Sequence, residues 1–169
     1  SDPAQPWPNI EYHVQPLSLE AFGEPLHSFP AITASVCNLN PTSRGTVHIR
    51  SARFGDAPAI APNYLATQAD QRVAVDSLRL TRRIAAQPAL APFAPQEYKP
   101  GTQFQTDDEL VRLAGDIATT IFHPVGTTAM GRDGDHMSVL DSHLRVRDGR
   151  GGLIDGLRVV DAGAMPTIT

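Results

Sequence analysis

The chain has little of three features that would narrow its class at once: cysteine, positive charge and long apolar runs. Its 169 residues include one cysteine, Cys37, which cannot form an internal disulfide and favours a reducing, cytoplasmic setting. Fourteen Lys and Arg residues against eighteen Asp and Glu give a formal net charge of −4, which argues against a nucleic-acid partner. No apolar run approaches the roughly 20 residues of a transmembrane helix, so we expect no membrane span.

The composition is nevertheless that of a folded domain with many turns. Hydrophobic residues make up 41% and charged residues 19%, alongside 15 prolines and 13 glycines. A chain of this length can bury roughly 70% of its unfolded surface. We therefore expect a real core with irregular connections between its elements.

Three stretches alternate apolar and polar residues as half-buried strands do: residues 10–16, 31–37 and 46–50. A turn-rich segment separates the last two stretches, so we expect these two to form an antiparallel pair. Two further short strands are expected near the C-terminus, at residues 139–140 and 157–160.

Two helices are predicted between the strands. Thr67 is a good N-cap for a helix that Pro88 ends. Thr106 and Glu109 form a capping-box pattern before an apolar stripe that runs to Ile121. The stretch between the two helices holds four prolines and is expected to be a loop. Strands, then helices, then strands favour an α+β fold with an antiparallel sheet backed by helices.

Two segments carry the residues best suited to chemistry. Residues 121–130, IFHPVGTTAM, place His123 after an apolar run and before a proline, and a neutral imidazole can accept a proton near neutral pH. Residues 157–166, LRVVDAGAMP, place Asp161 after a short apolar strand. On these residues alone, a histidine in this position is more often a structural residue of the core or of a turn. Asp161 can equally form an Asx-turn or a helix N-cap.

Both segments closely resemble the C-terminal part of the glucose-methanol-choline (GMC) oxidoreductases, in particular the choline dehydrogenase-like members. Residues 40–47, NPTSRGTV, and residues 63–65, NYL, match further stretches of that family. Several matches in order are far more specific than one. The family uses FAD to oxidise alcohols, so the resemblance implies an FAD-dependent oxidoreductase acting on a small-molecule alcohol.

The resemblance also implies that two parts of the chain have different roles. Residues 1–118 would belong mainly to a substrate-binding domain, and residues 119–169 would carry the active site and complete the flavin-binding domain. His123 stands where the family has its active-site base. Asp161 and Ala162 stand where it has flavin contacts.

No G-x-G-x-x-G follows a strand anywhere in the chain, and that turn is what cradles the pyrophosphate of a dinucleotide. We therefore expect the chain to be about the last third of a flavoenzyme that is inactive without its missing N-terminal flavin-binding part. Its uncovered face would promote self-association. The family's second catalytic group, a His or Asn, is expected beyond Thr169.

Three alternative interpretations are weaker. His123, His136 and His143 lack the spacing of a zinc site, so no metal is expected. Asp141, Ser142 and His143 are the residue types of a hydrolase triad, but neighbours on an extended chain point to opposite faces. A free-standing binding or scaffold module that keeps the fold without redox chemistry is the rival to the enzyme.

Overall fold

The computed structural model describes residues 1–21 and 23–168, and the chain forms two compact units. The first unit consists of Ser1–Arg44 and Tyr64–Ala118, and the second of Gly45–Asn63 with the chain from Thr119 onward. Across the described residues, α-helices and small antiparallel sheets occur together, which confirms the mixed fold class. None of the described helices is long and apolar enough to cross a membrane.

In the first unit, β1 (Ile10–Gln15) pairs antiparallel with β2 (Thr33–Asn38). The predicted pairing of the second strand with residues 46–50 is wrong. The reason is Asp70, whose carboxylate accepts hydrogen bonds from the backbone N–H groups of Thr42 (2.9 Å) and Ser43 (2.8 Å). Because these bonds hold the segment after β2 against a helix, it cannot act as a hairpin turn.

That helix, α1, spans Gln68–Ala85 and ends before Pro88, as predicted. The Thr67 hydroxyl accepts a hydrogen bond from the N–H of Asp70 at 3.3 Å, which is the expected N-cap. Val75 on its inner face is buried. Tyr12 of β1 is 3.0 Å from the Thr81 hydroxyl, so the β1–β2 hairpin is bonded to the helix as well as packed on it.

The proline-rich stretch after α1 is not wholly a loop, because Pro88–Phe93 forms a 3₁₀ helix. Proline suits the start of a helix, where its missing N–H is not needed. The rest of this stretch is held by Arg82, whose Nε and Nη2 donate to the two carboxylate oxygens of Glu97 at 2.8 and 2.9 Å. Hydrogen bonds from Arg82 hold the pKa of Glu97 below its usual value, against the opposing effect of burial.

The second helix, α2, spans Asp107–Ile117 and begins with the predicted capping box of Thr106 and Glu109. Leu110 is fully buried. The helix stops four residues short of the predicted end at Ile121. The β-branched threonines that follow Ala118 lose side-chain freedom in a helix, and the backbone at Ala118 is already extended.

The second unit holds two short antiparallel pairs, β3 (Thr46–His48) with β4 (Ala59–Ala61) and β5 (Arg145–Arg147) with β6 (Leu153–Arg158). The strand predicted at 139–140 is reduced to isolated bridges from Leu140, a residue with no exposed surface. The strand predicted at 157–160 starts earlier and ends at Arg158.

Candidate functional site

The two segments singled out in the sequence lie side by side in the second unit. The N–H of Thr128 donates to the carbonyl of Gly163, and the N–H of Met130 donates to the carbonyl of Ala164, both at 3.0 Å. Gly126 is also close, since a Cβ built on it would lie 3.5 Å from the carbonyl oxygen of Met165. The segment that carries His123 and the segment that carries Asp161 therefore form one local structure.

His123 lies on an irregular stretch and is exposed. Phe122 before it adopts a left-handed backbone with φ 65°, and its N–H donates to the Thr120 hydroxyl at 2.9 Å. Pro124 follows it. Among the described residues, no hydrogen bond or ion pair engages the imidazole, so it can accept a proton from a ligand.

Asp161 caps the short 3₁₀ turn Ala162–Ala164, and its Oδ1 accepts from the N–H of Gly163 at 2.8 Å. The capping interpretation left open by the sequence is therefore realised. Asp161 lies three residues beyond the end of β6 rather than directly at it. The side chain is exposed, as is Ala162. Capping occupies only one carboxylate oxygen, and within the described residues no hydrogen bond reaches Oδ2.

Sequence reasoning missed the tight packing at the centre of this structure. Gly163 is buried, and a Cβ built on it would lie 2.6 Å from the hydroxyl of Thr127 and 3.0 Å from that of Thr128. The Thr128 hydroxyl is itself buried and has no hydrogen-bond partner in the described part of the chain. Such a group is costly, and no pattern in the sequence signals it.

These features fit a polar cofactor that carries several hydroxyl groups. The free oxygen of Asp161 is an acceptor at the surface, and Ala162 is small and exposed. Small residues allow close approach of a ligand to the main chain. Within the described residues, no group of three or more His, Cys, Asp and Glu side chains can hold a metal ion.

Both carboxylate oxygens of Asp141 accept hydrogen bonds from neighbouring residues of the fold. Its Oδ1 accepts from the N–H groups of His143 and Arg145, and its Oδ2 accepts from Nε of Arg145, at 2.8 to 2.9 Å. Burial alone would raise the pKa of Asp141, but these hydrogen bonds outweigh it and lower the pKa to about 2. The carboxylate reaches the backbone of His143 and not its ring, so these residues do not form a triad relay.

The NPTSRG stretch belongs to the first unit up to Arg44. Nη1 of Arg44 donates to the carbonyls of Pro41 and Ser43, both at 2.9 Å. Arg44 therefore stabilises its own turn.

Comparison with known proteins bears on the whole chain. A family model described as GMC oxidoreductase matches residues 41–169. The oxygen-dependent choline dehydrogenase of Pseudomonas fluorescens is 39% identical over 169 residues, which are 100% of this chain and 29% of that protein. The enzyme of the same name from Escherichia coli is 40% identical over 162 residues, or 96% of this chain and 28% of the relative.

Solved structures are similar over the same part. Pyridoxine 4-oxidase from Mesorbium loti has a TM-score of 0.81 and 30% identity, over 96% of this chain and 30% of that chain. Formate oxidase from Aspergillus oryzae has a TM-score of 0.74 and 26% identity, over 88% of this chain and 25% of that chain. The chain thus spans less than a third of the length of the proteins it matches.

Proposed function

Since this chain belongs to the GMC oxidoreductases, we propose that it is the C-terminal portion of an FAD-dependent enzyme that oxidises a primary alcohol to an aldehyde. The observation that carries the proposal is the bonding of Thr128 to Gly163, because it brings the candidate base and the candidate flavin contact into one structure. The names of the curated relatives favour choline or a similar alcohol as the substrate.

In this proposal His123 is the catalytic base. Oxidation of an alcohol removes the hydroxyl proton and transfers the carbon-bound hydrogen as a hydride. When FAD is bound, its flavin ring supplies the hydride acceptor. The exposed imidazole of His123 has no partner in the described part of the chain, so it can take the hydroxyl proton as the hydride leaves. A second group that orients the alcohol is expected from elsewhere in the enzyme.

Asp161 and Ala162 are proposed to contact FAD. With Oδ1 engaged by the N–H of Gly163, the other carboxylate oxygen of Asp161 can accept from a ribityl or ribose hydroxyl. The same hydrogen bond fixes the direction of the carboxylate, so capping of the turn and cofactor binding are compatible. Ala162 lets the cofactor approach the backbone closely.

We further propose that residues 1–118 contribute mainly to substrate binding and that the chain from 119 onward completes the flavin-binding domain. The hairpin of β3 and β4 lies in the second compact unit and would accompany the latter. The pyrophosphate-binding turn must then come from an N-terminal portion, without which this chain would be colourless and inactive. The apolar surface meant for that portion would promote self-association.

Purification of the full-length protein tests the function directly. We expect a yellow protein whose flavin absorbance is bleached anaerobically by choline or another primary alcohol. The 169-residue chain, purified alone and titrated with FAD, should show no saturable binding at micromolar concentrations. A full-length protein without flavin would favour the binding or scaffold module instead.

A further inference from the structure

Phe122, directly before the candidate base, has an unusual backbone conformation. Its φ of 65° lies in the left-handed region, which costs free energy for residues with a Cβ and is uncommon for bulky ones. Strained residues of this kind persist only where their surroundings enforce them, and they cluster at functional sites. Because Phe122 directly precedes His123, its backbone conformation affects where the imidazole lies.

One cause is a side chain two residues earlier. The Thr120 hydroxyl accepts a hydrogen bond from the N–H of Phe122 at 2.9 Å, which is the short-range bond of a Ser/Thr turn. Helix α2 has already ended at Ile117, so no helical hydrogen bond holds this stretch. The turn made by Thr120 is a local contact that helps to fix the backbone at Phe122.

The residues that follow His123 also restrict its backbone conformation. Pro124 has a fixed φ and limits the residue before it to extended conformations, so His123 has little freedom of its own. Further on, the bond between Thr128 and Gly163 anchors the segment. His123 thus lies between a turn that Thr120 holds and a stretch that proline and the Gly163 contact hold.

We propose that Thr120 and Phe122 are positioning residues that set the direction in which the His123 imidazole leaves the main chain. The inference rests on the proposed role of His123 as the base. An exposed side chain on an irregular stretch has little packing to orient it, so its direction depends on the main chain. A base displaced by about 1 Å can lose about 10²-fold in rate, which makes that direction consequential.

If this inference holds, position 122 requires a residue that tolerates the left-handed backbone. Phe122→Asn and Phe122→Val test this in the full-length flavoprotein, because both remove the ring, whereas asparagine tolerates positive φ and β-branched valine does not. We expect anaerobic flavin reduction by substrate to stay within about threefold of wild type for Asn. For Val we expect a loss of 10- to 100-fold, on the order of a sub-ångström to 1 Å displacement.

A second pair of variants changes the side chain of Thr120, which holds the turn. Thr120→Ser keeps the acceptor hydroxyl, whereas Thr120→Val is nearly the same shape and lacks it. We expect the Ser variant to behave as wild type and the Val variant to slow flavin reduction at least about fivefold, a partial version of the same misplacement. Flavin content and thermal midpoint should be unchanged in both, which excludes a general folding defect.

Crystal structures of the four variants give a readout that does not depend on activity. Phe122→Asn and Thr120→Ser should keep positive φ at residue 122 and the wild-type imidazole position. Phe122→Val and Thr120→Val should move both. Equal loss of rate in Asn and Val would show that the ring matters instead, and wild-type rates in both would show that neither matters. Either result overturns the inference.

His123→Ala separates this inference from the proposed function. If that variant reduces flavin at the wild-type rate, the role of His123 as base fails. If it is slow while both Val variants are as fast as wild type, only the positioning inference fails.

Discussion

The backbone N–H of Thr128 donates to the carbonyl of Gly163 at 3.0 Å, and no side chain stands between the two main chains. Glycine permits this approach, because a Cβ at position 163 would lie within 3.0 Å of the neighbouring threonine hydroxyls. The site is thus built on main-chain hydrogen bonds, which suits segments that lack regular secondary structure.

The β3–β4 hairpin offers a steric test of close packing in the second unit. A Cβ on Gly45 would lie 2.2 Å from the carbonyl oxygen of Ala61 and 2.5 Å from that of Pro62. Because backbone atoms cannot rotate away, Gly45→Ala should destabilise the full-length protein by at least about 2 kcal/mol. Thermal unfolding measures this. Gly55→Ala is the control, since nothing lies within 4 Å of the added Cβ, and equal midpoints for the two variants would contradict the geometry.

The Arg82–Glu97 pair should stabilise the first unit in a pH-dependent way. Glu97→Gln leaves the half-buried Arg82 without a counter-charge, and we expect a loss of roughly 2 to 3 kcal/mol at pH 7. Because the folded-state pKa of Glu97 is lowered, the stabilisation is present above the unfolded pKa of about 4.3 and is lost as the pH falls through the folded value.

Unfolding of the wild type and Glu97→Gln from pH 7 down to pH 3 measures this difference. The difference in free energy of unfolding between the wild type and Glu97→Gln should become smaller below about pH 4.3. Glu24→Gln makes the same chemical change at an exposed position and should have little effect. A difference in free energy of unfolding that stays constant with pH would argue that the charge on Glu97 does not stabilise the fold.

Asp161 should show two separable roles. Asp161→Asn keeps an oxygen that can cap the turn but removes the charge, so we expect a stable protein whose affinity for FAD falls about tenfold, the difference between charged and neutral hydrogen bonds. Asp161→Ala should lower flavin occupancy further. Flavin content per protein and FAD titration of the apoprotein measure both. Full occupancy in the Ala variant, equal to that of an Asp155→Ala control on β6, would remove Asp161 from the flavin site.

Local signals in the sequence identified the helices well. Thr67, Thr106 and Glu109 form the expected caps, because capping depends on residues only three positions apart. Strand pairing depends on distant residues and was predicted less well. Nothing near β2 indicates that Asp70 will bond to Thr42 and Ser43, and this long-range contact is what removed the expected hairpin.

The site shows the same division between local and long-range information. The residue types around His123 and Asp161 and the resemblance to the GMC family identify both segments. The cap at Asp161 is one of the interpretations that the sequence leaves open. The proximity of the two segments was not derivable from either segment alone. The buried hydroxyl of Thr128 also follows from tertiary contacts, which no short motif encodes.

In the proposed mechanism, His123 takes the proton of an alcohol in a flavin-dependent oxidation, and anaerobic flavin reduction measures this step. In a stopped-flow experiment, the full-length His123→Ala variant should keep its flavin but be reduced by substrate about 10² to 10⁴ times more slowly than wild type. His136→Ala, a change at another exposed histidine, should match wild type. Flavin bleaching at the wild-type rate in His123→Ala would show that His123 is not the base.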